Sequence, residues 1–353
     1  MINTISKLPK WLTRGLIIPL LVLNGWLLLL VFEYFQSLIT IFATATLLSF
    51  ILDYPVRLLE KRNVQRAIAI LIVLLMGILI LGILGVTVIP IVLDQLNGLV
   101  ERLPSWFASG SEQAAALEIW AEEHNLPLSI GNLAANFLNR LSSQLQQLSG
   151  QLVGSLFSVV GSLLDLLLTI VLTFYLLLHG EELWQDLFQV FPDDIGDKFR
   201  QSLKQTFNNY FIGQLTVASI MGISMTTTFF IIQVPFGFLF GLVVGVMALF
   251  PFGAILSISV VSFLVGLKSI WLGLRVLAIA VVIEQIVESV IAPRLLGGFT
   301  GLNPVLILLS LLVGAKLGGF LGLILAVPAA GFTKSIFGIL QPESETQKLP
   351  INV

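Results

Sequence analysis

Long apolar runs, separated by short polar or charged stretches, set the pattern of this chain. They fall near 15–32, 36–53, 67–93, 152–178, 210–233, 236–264, 270–292 and 304–331. A helix needs about 20 apolar residues to cross a bilayer, so eight crossings are expected, the one at 36–53 marginally. Helices are expected because a helix satisfies its own backbone hydrogen bonds in lipid, whereas a barrel would show short alternating segments. The predicted fold is therefore all-α: a polytopic bundle of about eight hydrophobic segments with a helical extramembrane region after the third. Residues 1–93 would hold three spans and 94–151 the extramembrane region. Residues 152–340 would hold spans four to eight as the transport core, and 341–353 a disordered tail.

Composition sharpens the picture. Of 353 residues, 57% are hydrophobic and 11% charged, whereas a soluble domain carries about 25% charged residues. Membrane lipid is the expected surrounding, and a net charge of −2 without a basic block argues against a nucleic-acid partner. There is no cysteine, and the two histidines, His124 and His179, lie outside or at the edge of apolar runs, so neither a metal site nor a cofactor is expected. The chain has no G-x-x-x-x-G-K-[ST], no H-E-x-x-H and no G-x-S-x-G. An enzyme is not expected; movement of a solute or ion across the membrane is the leading class.

Basic residues orient the spans. Lys7, Lys10 and Arg14 precede the first run, which is long and lacks a cleavage site, and so reads as an uncleaved span. Arg57, Lys61, Arg62 and Arg66 follow the second run, and Lys198, Arg200 and Lys204 follow the fourth. Such flanks stay in the cytoplasm. Eight crossings then place both termini and Lys268 inside, residues 94–151 outside, and Arg294 alone on the wrong side.

Three patterns lie between or across the spans. Leu138, Leu141, Leu145, Leu148 and Leu152 form a short coiled-coil seam, suited either to self-association or to packing within its own domain. In 181–191, Leu183, Trp184, Leu187, Phe188 and Phe191 share one face, which predicts a helix in the membrane interface; Pro192 opens the next. Gly237, Gly241 and Gly245 precede Pro251 as Gly314, Gly318 and Gly322 precede Pro328. That spacing reads either as a parallel repeat of the hairpins 210–264 and 270–331 or as generic close packing of membrane helices.

Polar residues inside apolar runs are where chemistry is expected. Glu284 and Glu288 lie one helical turn, about 6 Å, apart, with Gln285 beside them. Two like charges in low dielectric favour a shared proton or a bound cation, as a proton- or cation-coupled site requires. The blander alternative pairs Glu288 with Arg294 near the outer interface. Asp165, midway along the fourth run, is a further candidate proton site, with Arg275 as its possible partner. At the start of the fifth run, Gly213 permits close backbone approach, and Gln214 offers a donor and an acceptor, for a solute or for a neighbouring helix. Pro251 breaks the sixth run by removing an N–H. With Gly253 it either exposes backbone groups, as the broken helices of transporters do, or makes a packing kink. Pro293 and Pro304 bracket a Gly-rich stretch expected as a tight re-entrant turn.

An ordered series emerges: 174-FYLLLHGEEL-183, Gly213–Gln214, Pro251, Gln285 with Glu288, Pro293 with Gly297, Asn303–Pro304, then Gly319, Gly322 and Pro328. Through it the chain resembles the autoinducer-2 exporter family of bacterial membrane proteins over residues 15–340, most sharply from 174 onwards. The sequence Pro251-Phe252-Gly253-Ala254 departs from the family pattern of an aromatic and an aliphatic residue before the glycine, with a further proline beyond. The resemblance implies eight hydrophobic segments, residence in the bacterial inner membrane and homo-oligomers. It also implies either export of a small polar signalling molecule or sodium–proton antiport.

The residues thus predict a secondary transporter or facilitator that exports a small polar solute or exchanges a monovalent cation for protons. Glu288, Gln285 and Gln214 would line the path, with Glu284 and Asp165 as proton sites. The alternative is a non-transporting oligomeric scaffold acting through the 138–152 seam and the 181–191 helix.

Overall fold

The structure, a computed structural model, describes residues 19–20, 22–27, 30–31, 33–124, 163–188, 193–296 and 302–340. The leucine seam at 138–152, part of the first apolar run, Pro192, Gly297 and the tail 341–353 lie outside them. Among the described residues the chain is all-helical, with turns between the helices and no strands, as the apolar runs predicted. The helices are α1 (Gln36–Glu60), α2 (Arg66–Glu123), α3 (Leu163–Phe188), α4 (Asp193–Ile231), α5 (Gly237–Met247) and α6 (Gly253–Lys268). They continue with α7 (Ile270–Ile286), a π-helical turn (Val287–Ile291), α8 (Ala292–Leu296) and α9 (Pro304–Leu340). Among the described residues, six apolar stretches are long enough to cross a membrane, whereas α5 and α6, with 11 and 16 residues, are short.

Helices α1, α2 and α3 pack around Val56, Ala69, Ile70, Val73 and Leu177. At one end of this group, Arg57 pairs with Asp53 at 2.7 Å and with Glu181 at 3.4 Å, and Glu181 pairs with Lys204 of α4 at 3.1 Å. Arg66 joins in through Glu60 at 3.3 Å and the Leu177 carbonyl at 2.8 Å. This end is the basic face. From Lys204 the chain of α4 rises to Ile231, a path of about 40 Å at 1.5 Å per residue, enough to reach the far face.

Helix α5 then returns antiparallel to α4. Gly237 lies on Phe229, Gly241 on Thr226 and Gly245 on Gly222, so close that a Cβ at Gly241 or Gly245 would strike the α4 backbone. Lipid tails are as apolar as leucine, so tight backbone approach, not water exclusion, must hold such helices together; Met221, Met225 and Phe229 are fully enclosed at this contact. With 11 residues, α5 is about 16 Å long and stops inside the bilayer. There the chain turns at Phe252, held left-handed at φ 65°, and α6 runs back out to the far face. Both ends of this hairpin rest on the distal half of α2: Phe236 on Gly98, and Leu267 on Gly110.

From that face α7 descends along α6, with Gly273 against Gly266. It continues through the π turn and α8 towards the basic face, where Leu302 is buried with Leu47, Tyr210 and Phe211. The last helix doubles back on itself. Gly319 takes φ 55° and ψ −130°, a conformation open to glycine. Gly314 touches the backbone of Gly322, although a straight helix would hold them about 12 Å apart. The arms 304–318 and 320–340 are therefore antiparallel. The Ser202 hydroxyl donates to Ser335 at 2.8 Å, so this second hairpin opens to the basic face.

Two expected crossings are thus re-entrant hairpins: the run 236–264, which is α5 and α6, and the run 304–331, folded at Gly319. The first hairpin reverses the direction of everything between it and the second. Lys268 consequently lies at the far face beside Gln113, Arg294 lies towards the basic face, and the C-terminal helix returns towards the basic face. The glycine repeat does not map onto equivalent structure: Gly237, Gly241 and Gly245 lie on one arm, whereas Gly314 and Gly322 straddle a turn. The stretch 181–188, expected as a separate interfacial helix, continues α3 without a break.

Candidate functional site

The two hairpins enter from opposite faces and their tips meet: the rings of Phe250 and Phe320 lie 5.5 Å apart, edge to face. Non-helical backbone at membrane depth needs partners, and here α4 supplies one. The Gln214 side-chain amide donates to the Ala248 carbonyl at 2.6 Å, which the helix break at Pro251 leaves without its usual amide. Gln214 therefore fastens the first tip, its own carbonyl oxygen forming no bond among the described residues. Gly213, one position earlier, is buried. Gly253 lies so close to the Met247 carbonyl that a side chain there would not fit, which makes the turn tight.

Glu284, Gln285 and Glu288 lie on the neighbouring crossing. Starting from Ile270 at the far face, Glu284 is about 21 Å and Glu288 about 27 Å along the helix, in the middle and the basic-side half of the span. Glu288 was expected near the outer interface; the reversed direction of α7 moves it inward. Glu284 is half-buried, and Gln285 and Glu288 are exposed on this single chain. Gln285 donates to the Ser289 hydroxyl. Among the described residues neither carboxylate forms an ion pair, and the pairing of Glu288 with Arg294 is not made. Glu288 falls in the π turn Val287–Ile291, a distortion that recurs at functional positions because it widens the spacing of side chains.

Asp165 belongs to a different group. It is half-buried on α3, which packs on α1, α2 and α4. Its suggested partner Arg275 is exposed on α7 and forms no ion pair among the described residues. Pro293 lies in α8, Pro304 starts α9, Gly319 makes the second turn, Gly322 closes that hairpin on Gly314, and Pro328 sits within the returning arm.

Sequence reasoning missed three polar residues. Gln95 accepts from the Leu239 amide at 3.0 Å and so caps α5. Gln113 donates to the Leu267 carbonyl and accepts from the Ile270 amide, both at 2.9 Å, which closes the α6–α7 turn. The two glutamines are 18 residues apart, five helical turns, so one face of α2 straps the first hairpin; that spacing was the available signal. Lys316, three residues before the second turn, is the one charge within 304–331 and is exposed.

A multi-pass helical protein with two opposed re-entrant hairpins meeting in the bilayer is of the membrane-transport class. The chain belongs to the AI-2E family of transporters: the family described as "AI-2E family transporter" matches residues 16–341. It is similar to two proteins of Synechocystis sp. named as transport proteins. One, sll0063, is 44% identical over 343 residues, covering 96% of this chain and 87% of the relative. The other, sll0060, is 41% identical over 328 residues, covering 93% and 95%. It is also 24% identical over 323 residues to the protein of Escherichia coli (strain K12) named as a permease, PerM, with 86% and 87% covered.

Proposed function

We propose that the protein is a secondary transporter or facilitator that moves a small polar solute outward or exchanges a monovalent cation for protons, and that it does so at the meeting point of the hairpins. The observation that carries this reading is the contact of the two tips at Phe250 and Phe320, 5.5 Å apart. One hairpin opens to each face, so the two tips form the thin partition between the two sides. Glu284, Glu288 and Gln285 on α7, with the free oxygen of Gln214, are the polar groups for the passing solute or ion. A carboxylate exposed at this depth faces a wet cavity or a further copy of the chain, which fits a homo-oligomer. Asp165 would act separately, as a proton site in the α1–α3 group. The basic face is the cytoplasmic one by its Arg57, Lys61, Arg62, Arg66, Arg200 and Lys204, in the bacterial inner membrane with both termini inside.

The test uses purified protein in liposomes with a trapped pH dye and an imposed sodium gradient. Exchange predicts sodium-dependent proton movement that Glu284→Gln/Glu288→Gln abolishes while oligomer size stays unchanged. Proton movement that survives the double substitution would refute the carboxylate assignment. With no proton movement, the same proteoliposomes assayed for efflux of small polar solutes decide between a facilitator and a non-transporting scaffold.

A further inference from the structure

At the basic face, α1, α3 and α4 enclose a cavity of about 520 Å³. Its lining joins the rings of Phe50 and Trp184 to a set of charged side chains. Four cations line it, Arg57, Arg66, Arg200 and Lys204, against three carboxylates, Asp53, Glu181 and Asp197. The cations are not equally occupied. Every nitrogen of Arg66 is engaged, by Leu177, Glu60 and Asp53. Arg57 uses Nε on Asp53 and Nη2 on Glu181, which leaves Nη1. Lys204 uses one of its three N–H groups on Glu181. Arg200 is half-buried and, among the described residues, forms no ion pair or hydrogen bond, not even with Asp197 three residues earlier. A second polar cavity of about 390 Å³ adjoins the first and shares Arg57 and Lys204.

Unused donors from α1 and α4 around one cavity call for an acceptor-rich anion. A carboxylate offers two oxygens and is already present as Glu181; a phosphate offers more acceptors to a planar guanidinium and a compact ammonium at once. Phe50 and Trp184 in the lining, where the membrane-facing stretches of α1 and α3 end, suit a ligand with an organic body. We propose that this cavity binds a phosphate-bearing amphiphile or organophosphate, its phosphate between Arg200, Lys204 and Arg57 and its organic part along Phe50 and Trp184. A site there ties α1, α3 and α4 together through the ligand as well as through Glu181.

Thermal unfolding of the purified full-length protein in phosphate-free detergent tests this, with tryptophan fluorescence as readout. Short-chain phosphatidylglycerol, glycerol 3-phosphate, and phosphatidylcholine of the same chain length are titrated separately. A saturable rise of the midpoint with phosphatidylglycerol alone identifies a lipid headgroup, and one with glycerol 3-phosphate identifies a soluble source. Because Arg200 holds no neighbour in place, Arg200→Gln keeps the fold; it weakens the effective ligand by about tenfold or more, the loss expected for a charged hydrogen bond, and Arg200→Lys restores part of it. The proposal fails if neither anion shifts the midpoint saturably, if phosphatidylcholine matches phosphatidylglycerol, or if Arg200→Gln binds like the parent.

Discussion

The second hairpin rests on one glycine contact, and a pair of alanine substitutions tests it. Gly314 and Gly318 are a turn apart on the same arm and equally glycine to any sequence rule. In the folded arms, however, a Cβ at Gly314 drives into the Gly322 backbone and meets the Ala326 Cβ at 3.0 Å, whereas one at Gly318 meets nothing within 4 Å. Backbone cannot swing aside as a side-chain tip can, so Gly314→Ala forces the arms apart, an overpacking cost of about 1–3 kcal/mol. Gly318→Ala gains helix propensity, up to about 1 kcal/mol. The two variants should differ by about 1–4 kcal/mol, with Gly314→Ala below the parent and Gly318→Ala at or above it. Thermal unfolding in detergent, followed by the loss of the monodisperse chromatographic peak, ranks them. Were 304–331 a single straight crossing, Gly314 and Gly322 would never meet, and both alanines would behave alike. Equal midpoints would therefore refute the hairpin.

Other outcomes follow from the same contacts. Gln113→Ala leaves the Leu267 carbonyl and the Ile270 amide without their side-chain partner and should lower stability by about 1–3 kcal/mol, read as faster proteolysis at the 267–270 turn; unchanged proteolysis would count against the strap. Because the chain has no cysteine, Phe250→Cys/Phe320→Cys carries its only thiols, and a short bifunctional thiol reagent should link them within one chain, while Phe250→Cys/Phe337→Cys should take up the reagent without being linked. Gly319→Ala, with open space around it but a left-handed φ of 55°, should cost about 1–3 kcal/mol through backbone strain alone, and a fall in midpoint without a change in oligomer size is the expected signature.

Much of the fold was legible in the residues. Low charge and long apolar runs required helices in lipid, and Pro251 was readable as a break. What stayed hidden was the path after a break. A run of 28 apolar residues has the same composition whether it crosses once or folds into two arms, because both arms are apolar all round. Pro251 marks where the chain is interrupted but not the angle at which it continues. One missed hairpin inverted α7 and with it the depth expected for Glu288; the second turns the chain back towards the basic face. For the candidate site, Glu284, Gln285 and Glu288 announced themselves as polar residues in an apolar run, and Gln214 did so less strongly. Gln95 and Gln113 did not, since polar residues in a segment expected outside the membrane carry no surprise.

By itself, then, the sequence determined the class: an all-helical chain in a bilayer, its basic flanks, and the intramembrane carboxylates. These follow from transfer free energies, which are sums over local residues. The tertiary structure alone decided that two runs turn back within the membrane, that their tips meet at Phe250 and Phe320, and that Arg57, Arg200 and Lys204 bring spare donors round one cavity. Those facts depend on which distant backbones approach each other, and the approach of Gly222 to Gly245 or Gly314 to Gly322 is a pairwise property that neither partner's local sequence contains.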